Sequence, residues 1–281
     1  MDNSRFIKMI NINPALIENI ENPTDEMKLL AIKKNGLMIR YIENPTKEMQ
    51  EIAVRKNAKA IEYIENPSED IMCEVVKNSW SALDYIKDPT DKVIKKAIEN
   101  SGWAIQYVKN PSEELQLMAI KKNYDAIKYI ENPSEKIQLE AININYDALR
   151  YIKNPTLNVE IEAIKKDERA INFIDDINDE KLMEFLKQNI LVVKYIYKKI
   201  SIDNIKNAIK EAISKEDIDE KYIRDFLNCS IIDRNSKEIN LDKIMFIYKY
   251  GSKKAKQIAI DEKLKMMQIA LNTNYKDRKI I

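Results

Sequence analysis

Hydrophobic and polar positions recur along this chain in a unit of 22 residues. Residues four, eight and nine places after a marker proline are apolar, as in Leu115, Ala119 and Ile120. This spacing is that of one face of an α-helix. The marker prolines are Pro23, Pro45, Pro67, Pro89, Pro111, Pro133 and Pro155. A fixed short period predicts an array whose units bury their apolar faces by stacking on one another.

Each unit carries start and stop signals for two helices. Serine or threonine follows every marker proline, and acidic residues such as Glu113 and Glu114 come next. A hydroxyl caps the first N–H groups of a helix, and the helix dipole favours acids there. Twelve residues after the proline, a second short polar residue such as Asn123 predicts a new helix of about two turns. Because the residue before each proline disfavours the α conformation, the unit ends there as an αα-hairpin.

The array extends past the prolines in both directions. Residues 13–20 fit the second helix of an incomplete leading unit, and residues 189–196 keep the phase in a degenerate unit. Helical patterning continues without that phase over residues 202–213, 218–227, 241–250 and 253–271. We therefore predict an all-α solenoid of about eight repeats over residues 1–198. Residues 199–281 are predicted to form a divergent helical C-terminal cap with a basic tail that includes Lys276, Arg278 and Lys279.

Composition excludes several kinds of chemistry. The chain of 281 residues has no histidine and only two cysteines, Cys73 and Cys229. A Cys/His zinc site and a Ser-His or Cys-His nucleophile pair therefore cannot be assembled. We predict no enzymatic activity, no metal and no cofactor. No run of about 20 apolar residues is present and the N-terminus is charged, so we expect a cytoplasmic protein without membrane contact.

Two short strings carry a resemblance to known repeat proteins. The string from Asn110 to Asn123 resembles the leucine-rich-variant and HEAT-like class of helical repeats. The string from Gly102 to Tyr107 is similar to an uncharacterised family of 22-residue Asn-Pro-Ser repeats in bacterial and phage proteins. Together these resemblances cover most of residues 13–198. They imply a curved two-layer helical solenoid with a binding role, and they assign no catalytic residue and no metal.

Equivalent positions of a stacked array form columns, and the most variable column follows the tight turn. Both tryptophans of the chain lie at this turn edge. Aromatic side chains with adjacent charge are common interface anchors. The candidate partner-binding residues are Trp80, Trp103, Tyr124, Tyr146 and Arg169. The alternative is that these rings only cover the tops of neighbouring helices.

Two further columns belong to the second helices. The first is predicted to lie in the core, because a Leu- or Ile-rich helical stripe accompanies it. It consists of Tyr41, Tyr63, Tyr85, Tyr107, Tyr129, Tyr151 and Phe173. The other is polar, varies in charge and is predicted to be exposed, where it would select a partner by charge pattern. It consists of Arg40, Glu62, Asp84, Gln106, Lys128 and Arg150.

These features favour a non-enzymatic protein-binding scaffold, adaptor or stoichiometric inhibitor. By analogy with bacterial and phage repeat proteins, a host or defence protein is one conceivable target. The sequence leaves open whether two arrays associate into a homo-oligomer.

The alternative function is nucleic-acid binding by a basic column at the ends of the first helices. This column consists of Lys33, Lys34, Arg55, Lys56, Lys121, Lys122, Lys165 and Lys166. The net charge of only +1 argues against it, as does the ordinary preference for lysine at helix C-termini. A third hypothesis, a HEAT-like DNA glycosylase, has Trp80 and Asp84 as formal pocket residues. The absence of histidine argues against that enzyme.

Overall fold

The computed structural model describes the backbone of residues 3–277 and the side chains of residues 3–265, 267 and 268. Within this range, nine pairs of helices follow one another, each an α-helix and then a 3₁₀ helix. The α-helices are α1 (Asn3–Ile12), α2 (Asp25–Lys34), α3 (Lys47–Lys56), α4 (Glu69–Asn78), α5 (Asp91–Asn100), α6 (Glu113–Lys122), α7 (Glu135–Ile144), α8 (Leu157–Lys166) and α9 (Asp179–Gln188). The 3₁₀ helices are η1 (Pro14–Asn19), η2 (Gly36–Tyr41), η3 (Ala58–Tyr63), η4 (Trp80–Tyr85), η5 (Gly102–Tyr107), η6 (Tyr124–Tyr129), η7 (Tyr146–Tyr151), η8 (Glu168–Phe173) and η9 (Ile190–Val192). The predicted fold class, an all-α helical-repeat solenoid, is confirmed.

The α-helices begin at the predicted hydroxyl residues. In α6, Ser112 Oγ accepts a hydrogen bond from the backbone N–H of Leu115 at 3.4 Å. The same bond forms after every marker proline. It satisfies one N–H group that a helix otherwise leaves without a partner. The repeated start signal in the sequence therefore fixes each helix start in the fold.

The second helix of each repeat is 3₁₀ and not α. Between Asn123 and Asn132 only six residues are helical. Six residues rise about 9 Å in an α-helix but about 12 Å in a 3₁₀ helix, against about 15 Å for the ten-residue helix beside it. In the 3₁₀ form, the six-residue segment therefore runs alongside a greater length of the α-helix that precedes it. A six-residue pattern is too short to distinguish the two helix types.

The prediction that the tyrosine column lies in the core is wrong. Tyr63 and Tyr129 are exposed, and the other members of the column are half-buried. In a helix of three residues per turn, Ile127 and Ile130 lie on the same face, and both are buried. Tyr129, one position before Ile130, is rotated by about 120° to the border of the core.

Asparagine closes many of the repeats in a left-handed backbone conformation. Asn44, Asn66, Asn110 and Asn132 have φ angles of 48–49°. Asparagine adopts this region more readily than most side chains. These residues allow the chain to reverse direction without glycine.

Hydrogen bonds between repeats complete the ends of the α-helices. Asn100 Nδ2 in α5 donates to the carbonyl oxygens of Val76 and Lys77 in α4, at 3.0 and 2.8 Å. Asn189 Nδ2 donates to Ile164 O of α8 at 2.8 Å. Each α-helix leaves its last carbonyl groups without intrahelical partners. Here, asparagine side chains of the following repeat donate hydrogen bonds to them.

The described chain divides into two compact units, Met1–Ile144 and Asn145–Ile281. In the first unit, α1 to α7 form one layer and η1 to η6 form a second. Its leading repeat has both helices, because α1 precedes η1 and Ile10 is buried with Ile17. The prediction of an incomplete leading unit is therefore wrong.

Among the described residues of the second unit, five helices follow the repeats. They are α10 (Val193–Ile196), α11 (Ile202–Ile213), α12 (Glu220–Asn228), α13 (Lys243–Tyr250) and α14 (Lys253–Asp277). The Tyr222 hydroxyl of α12 donates to Leu186 O of α9 at 2.9 Å. Helices α11 and α12 pack on the last repeat, and α13 and α14 pack on them. A short parallel pair, β1 (Ile232–Asp233) and β2 (Ile239–Asn240), was not predicted, because two-residue strands leave no periodic signal.

The predicted basic tail, Lys276, Arg278 and Lys279, lies outside the described side chains. None of the helices in residues 3–277 is both long and apolar enough to cross a membrane.

Candidate functional site

The variable columns lie on the 3₁₀ helices. Every member of the polar column from Arg40 to Arg150 is exposed, as predicted. The column that follows the tight turn is mostly half-buried, and its glycines, Gly36 and Gly102, are buried. Trp103, one position further along, is exposed. The turn edge is therefore accessible at selected positions rather than along its whole length.

Trp80 contacts both Trp103 and Tyr107 in the first unit, and we call these three residues the tryptophan cluster. The ring centroids of Trp80 and Trp103 are 6.2 Å apart with an interplanar angle of 69°. Those of Trp80 and Tyr107 are 6.1 Å apart. Edge-to-face pairs of this kind contribute about 0.5–1.5 kcal/mol beyond the burial of their surface. Trp103 keeps 37% of its surface exposed, so the cluster is both packed and accessible.

Polar contacts from the next repeat fix the ring of Trp103. Its Nε1 donates to Asp125 Oδ1 at 2.8 Å. Lys128 Nζ lies 3.3 Å from Asp125 Oδ2 and 5.5 Å from the centroid of the Trp103 ring. Lys128 also lies 4.9 Å from the centroid of Tyr129. Because these bonds already fix the ring, Trp103 would lose less conformational entropy on binding another molecule.

The sequence carries a signal for the contact between Trp103 and Asp125. Trp103 and Asp125 are 22 residues apart, so they occupy the same position in consecutive repeats. The sequence predicts Tyr107 in the core and Lys128 in the polar column, so it does not place either residue beside the tryptophans. The 22-residue period alone places the carboxylate of Asp125 beside the indole of Trp103.

Gly102 allows the closest approach between η5 and the following α-helix. A Cβ atom at this position would lie 2.1 Å from Ala119 O of α6. The Gly102 N–H donates to Asn123 Oδ1, which is 2.9 Å away. The local geometry around the tryptophan cluster therefore depends on the absence of a side chain at residue 102.

A second group of aromatic and basic side chains lies in the second unit. Tyr146 and Phe173 stack with centroids 6.4 Å apart. The guanidinium group of Arg169 lies 5.4 Å from the Tyr146 ring centroid, and that of Arg150 lies 4.5 Å from that of Phe173. We call these four residues the arginine cluster. It joins the candidates Tyr146 and Arg169, while Tyr124 is half-buried at the equivalent position of η6.

Asp167 orients Arg169 within the arginine cluster. Its two carboxylate oxygens accept bonds from Arg169 Nε and Nη2 at 2.8 and 2.7 Å. This side-chain hydrogen bonding lowers the pKa of Asp167 and raises that of Arg169. A bidentate pair fixes the plane of the guanidinium group, so Arg169 presents one defined face.

The basic column at the ends of the α-helices is exposed but partly neutralised. Arg55 Nε pairs with Glu74 at 2.5 Å, and Lys165 Nζ pairs with Glu162 at 2.7 Å. Lys121 lies 3.8 Å from Glu140. The remaining members are Lys33, Lys34, Lys56, Lys122 and Lys166, all exposed. The column is thus a mixed-charge surface rather than a continuous positive ridge.

Trp80 and Asp84, the two residues of the glycosylase hypothesis, do not form an enclosed pocket. Asp84 is exposed on η4, and Trp80 packs against Trp103 and Tyr107. Burial, and then the charge of Asp84, raises the pKa of Tyr107. Within the described residues, no three cysteine or carboxylate side chains are placed to hold a metal ion.

The chain was compared with protein-family models, with curated proteins and with solved structures, and none of the three comparisons found a match.

Proposed function

We propose that this chain is a non-enzymatic protein-binding module, acting as an adaptor or stoichiometric inhibitor, and that the tryptophan cluster is its main contact surface. The single observation that supports the proposal is a half-exposed indole held in place by a carboxylate and a lysine. Hot spots of protein interfaces are enriched in such rigid aromatic anchors. We place this activity in the cytoplasm, because both Cys73 and Cys229 are free thiols.

Intrinsic fluorescence offers a direct assay of this surface. Trp80 and Trp103 are the only two tryptophans of the chain, and both belong to the cluster. Binding of a tryptophan-free partner at the cluster should therefore shift the emission of the chain. A bound partner that leaves the emission unchanged would contact a different surface.

Affinity capture from extract tests the proposal with a matched control. Trp103→Ala should abolish capture of the partner, while Tyr63→Ala should not, although both side chains are 37% exposed. Circular dichroism would verify that both variants fold. Equal capture by the Trp103→Ala variant would refute the proposed surface.

The same experiment separates protein binding from nucleic-acid binding. Phosphate contacts weaken by orders of magnitude between low and moderate salt, whereas a desolvated aromatic contact does not. The partial neutralisation of the basic column favours the protein partner. Loss of capture after nuclease treatment would favour the nucleic-acid alternative.

A further inference from the structure

Large apolar side chains are exposed on α13 and α14, far in sequence from the tryptophan cluster, and a groove lies between these two helices. Tyr248, Met245 and Leu264 are 72%, 61% and 59% exposed. The buried residues Ile247 and Ala259 lie at the base of a cleft of about 160 Å³ between the two helices. Soluble proteins rarely leave a contiguous apolar patch uncovered unless it serves in binding.

The apolar surface continues along α14 beyond the cleft. Ile260, Leu264 and Met267 follow one another at intervals of four and three residues, so they share one face of the helix. Among the described side chains of α14, none after Ala259 is buried. This apolar face therefore has no covering element among the described residues.

The segment that forms α13 and the first part of α14 is rich in lysine. Residues 243–268 contain seven lysines but only two acidic residues, Asp261 and Glu262. Glu262 already pairs with Arg224 at 2.9 Å and with Lys265 at 3.0 Å. Asp261 accepts a bond from Gln257.

Two lysines line the cleft itself. They are Lys256 and Lys263, and neither forms an ion pair with any carboxylate whose side chain the structure describes. Lys256 and Lys263 therefore border the apolar base of the cleft and are available to pair with acidic side chains.

We propose that this groove binds an acidic amphipathic helix of another protein. In helix-in-groove recognition, apolar side chains three and four residues apart on the partner helix pack into an apolar groove. The cleft between α13 and α14 offers such an apolar surface. Glutamates or aspartates beside those anchors would pair with Lys256 and Lys263 and discriminate against other partners.

Two other occupants fit the same surface less well. A second copy of the chain would bring Lys256 and Lys263 against the same two lysines, and such juxtaposition of like charges is unfavourable. A bilayer requires a protruding amphipathic face, whereas Ile244, Ile247 and Ala259 line a concave cleft.

Fluorescence anisotropy with three labelled helical peptides tests the proposal on the full chain. The peptides, each of about five turns, share one leucine stripe and differ in whether the opposite face carries glutamate, lysine or glutamine. The glutamate peptide should bind at least about tenfold more tightly than the lysine peptide. Equal or reversed preference would overturn the proposal.

Variants locate the binding site and separate it from the tryptophan cluster. Combined Tyr248→Ala and Leu264→Ala substitutions should weaken binding of the glutamate peptide at least about tenfold. Lys256→Glu with Lys263→Glu should remove the preference for glutamate. Leu157→Ala, at another exposed apolar residue of the same unit, and Trp103→Ala should leave the affinity unchanged.

Three outcomes would contradict the groove assignment. The first is binding of the glutamate peptide that the groove variants do not alter. The second is a concentration-dependent dimer, detected by light scattering, that Leu264→Ala abolishes; this would assign the groove to a second copy. The third is sedimentation with phosphatidylserine vesicles but no peptide binding, which would assign it to a membrane surface.

Discussion

Gly102 illustrates how one residue controls the spacing of adjacent repeats. The same position holds Ala58, Trp80 and Tyr124 in other repeats, so a side chain is compatible with the fold in general. In η5, however, an added Cβ would meet Ala119 O at 2.1 Å. Gly36 of η2 is similarly restricted, because a Cβ atom there would lie 2.4 Å from Ala53 O. The requirement for glycine therefore belongs to particular repeats and not to the repeat consensus.

Gly102→Ala should destabilise the first unit by about 1–3 kcal/mol, because the backbone must move apart to accommodate the methyl group. Urea unfolding followed by tryptophan fluorescence measures the effect close to the site, since Trp103 is the next residue. The reciprocal change Ala58→Gly should cost no more than about 1 kcal/mol through backbone entropy. Equal effects of the two substitutions would show that close contact at residue 102 is unimportant.

At the scale of the element, the hydroxyl caps give each α-helix a defined start. Ser112→Ala removes the acceptor for the Leu115 N–H and should reduce stability by about 1 kcal/mol. Thermal unfolding by circular dichroism would detect this loss. The matched control is Ser79→Ala, because Ser79 precedes η4 without a side-chain cap bond.

Ser79→Ala should therefore have a smaller effect than Ser112→Ala. If the two variants lost equal stability, the hydroxyl cap would not explain why serine or threonine follows every marker proline in this chain.

Helix position could be predicted from the sequence more fully than helix type. Hydroxyl residues, acidic first turns and prolines give local signals that do not depend on tertiary packing. The choice of 3₁₀ geometry depends on matching a six-residue segment to the ten-residue helix beside it, so no residue type encodes it. The prediction that Tyr129 lies in the core is wrong for this reason, because 3₁₀ geometry rotates its side chain to the border of the core.

At the scale of the whole molecule, each unit consists of elements that contact mainly their sequence neighbours. In such an array, stability is approximately a sum of repeat and nearest-neighbour contributions. A cavity in one repeat should therefore weaken its neighbours more than distant repeats of the same unit. Ile105, which is buried in η5, is a suitable place to test this.

Ile105→Ala should cost about 2–5 kcal/mol. Native-state hydrogen exchange should show the loss of protection in α5, η5 and α6, with little change in α1 and α2. A uniform loss of protection from α1 to α7 would instead indicate that the first unit unfolds as a single cooperative domain.

The candidate surfaces could be predicted only in part. The repeat period places variable residues on a shared edge, so the sequence predicts Trp80, Trp103, Tyr146 and Arg169 as candidate contact residues. The groove of α13 and α14 lies outside the period. Its geometry depends on long-range contacts such as the bond from Ser252 N to Ile213 O at 2.8 Å, which no local pattern reveals.

The bonds from Asn100 to Val76 O and Lys77 O have a consequence for synthesis of the chain. The carboxyl end of α4 is completed by a residue that the ribosome adds 23 and 24 positions later. At about 5–20 residues per second, translation supplies that residue only one to several seconds afterwards. Folding of the emerging polypeptide would thus trail its elongation by about one repeat, with the newest helix left frayed until its successor emerges.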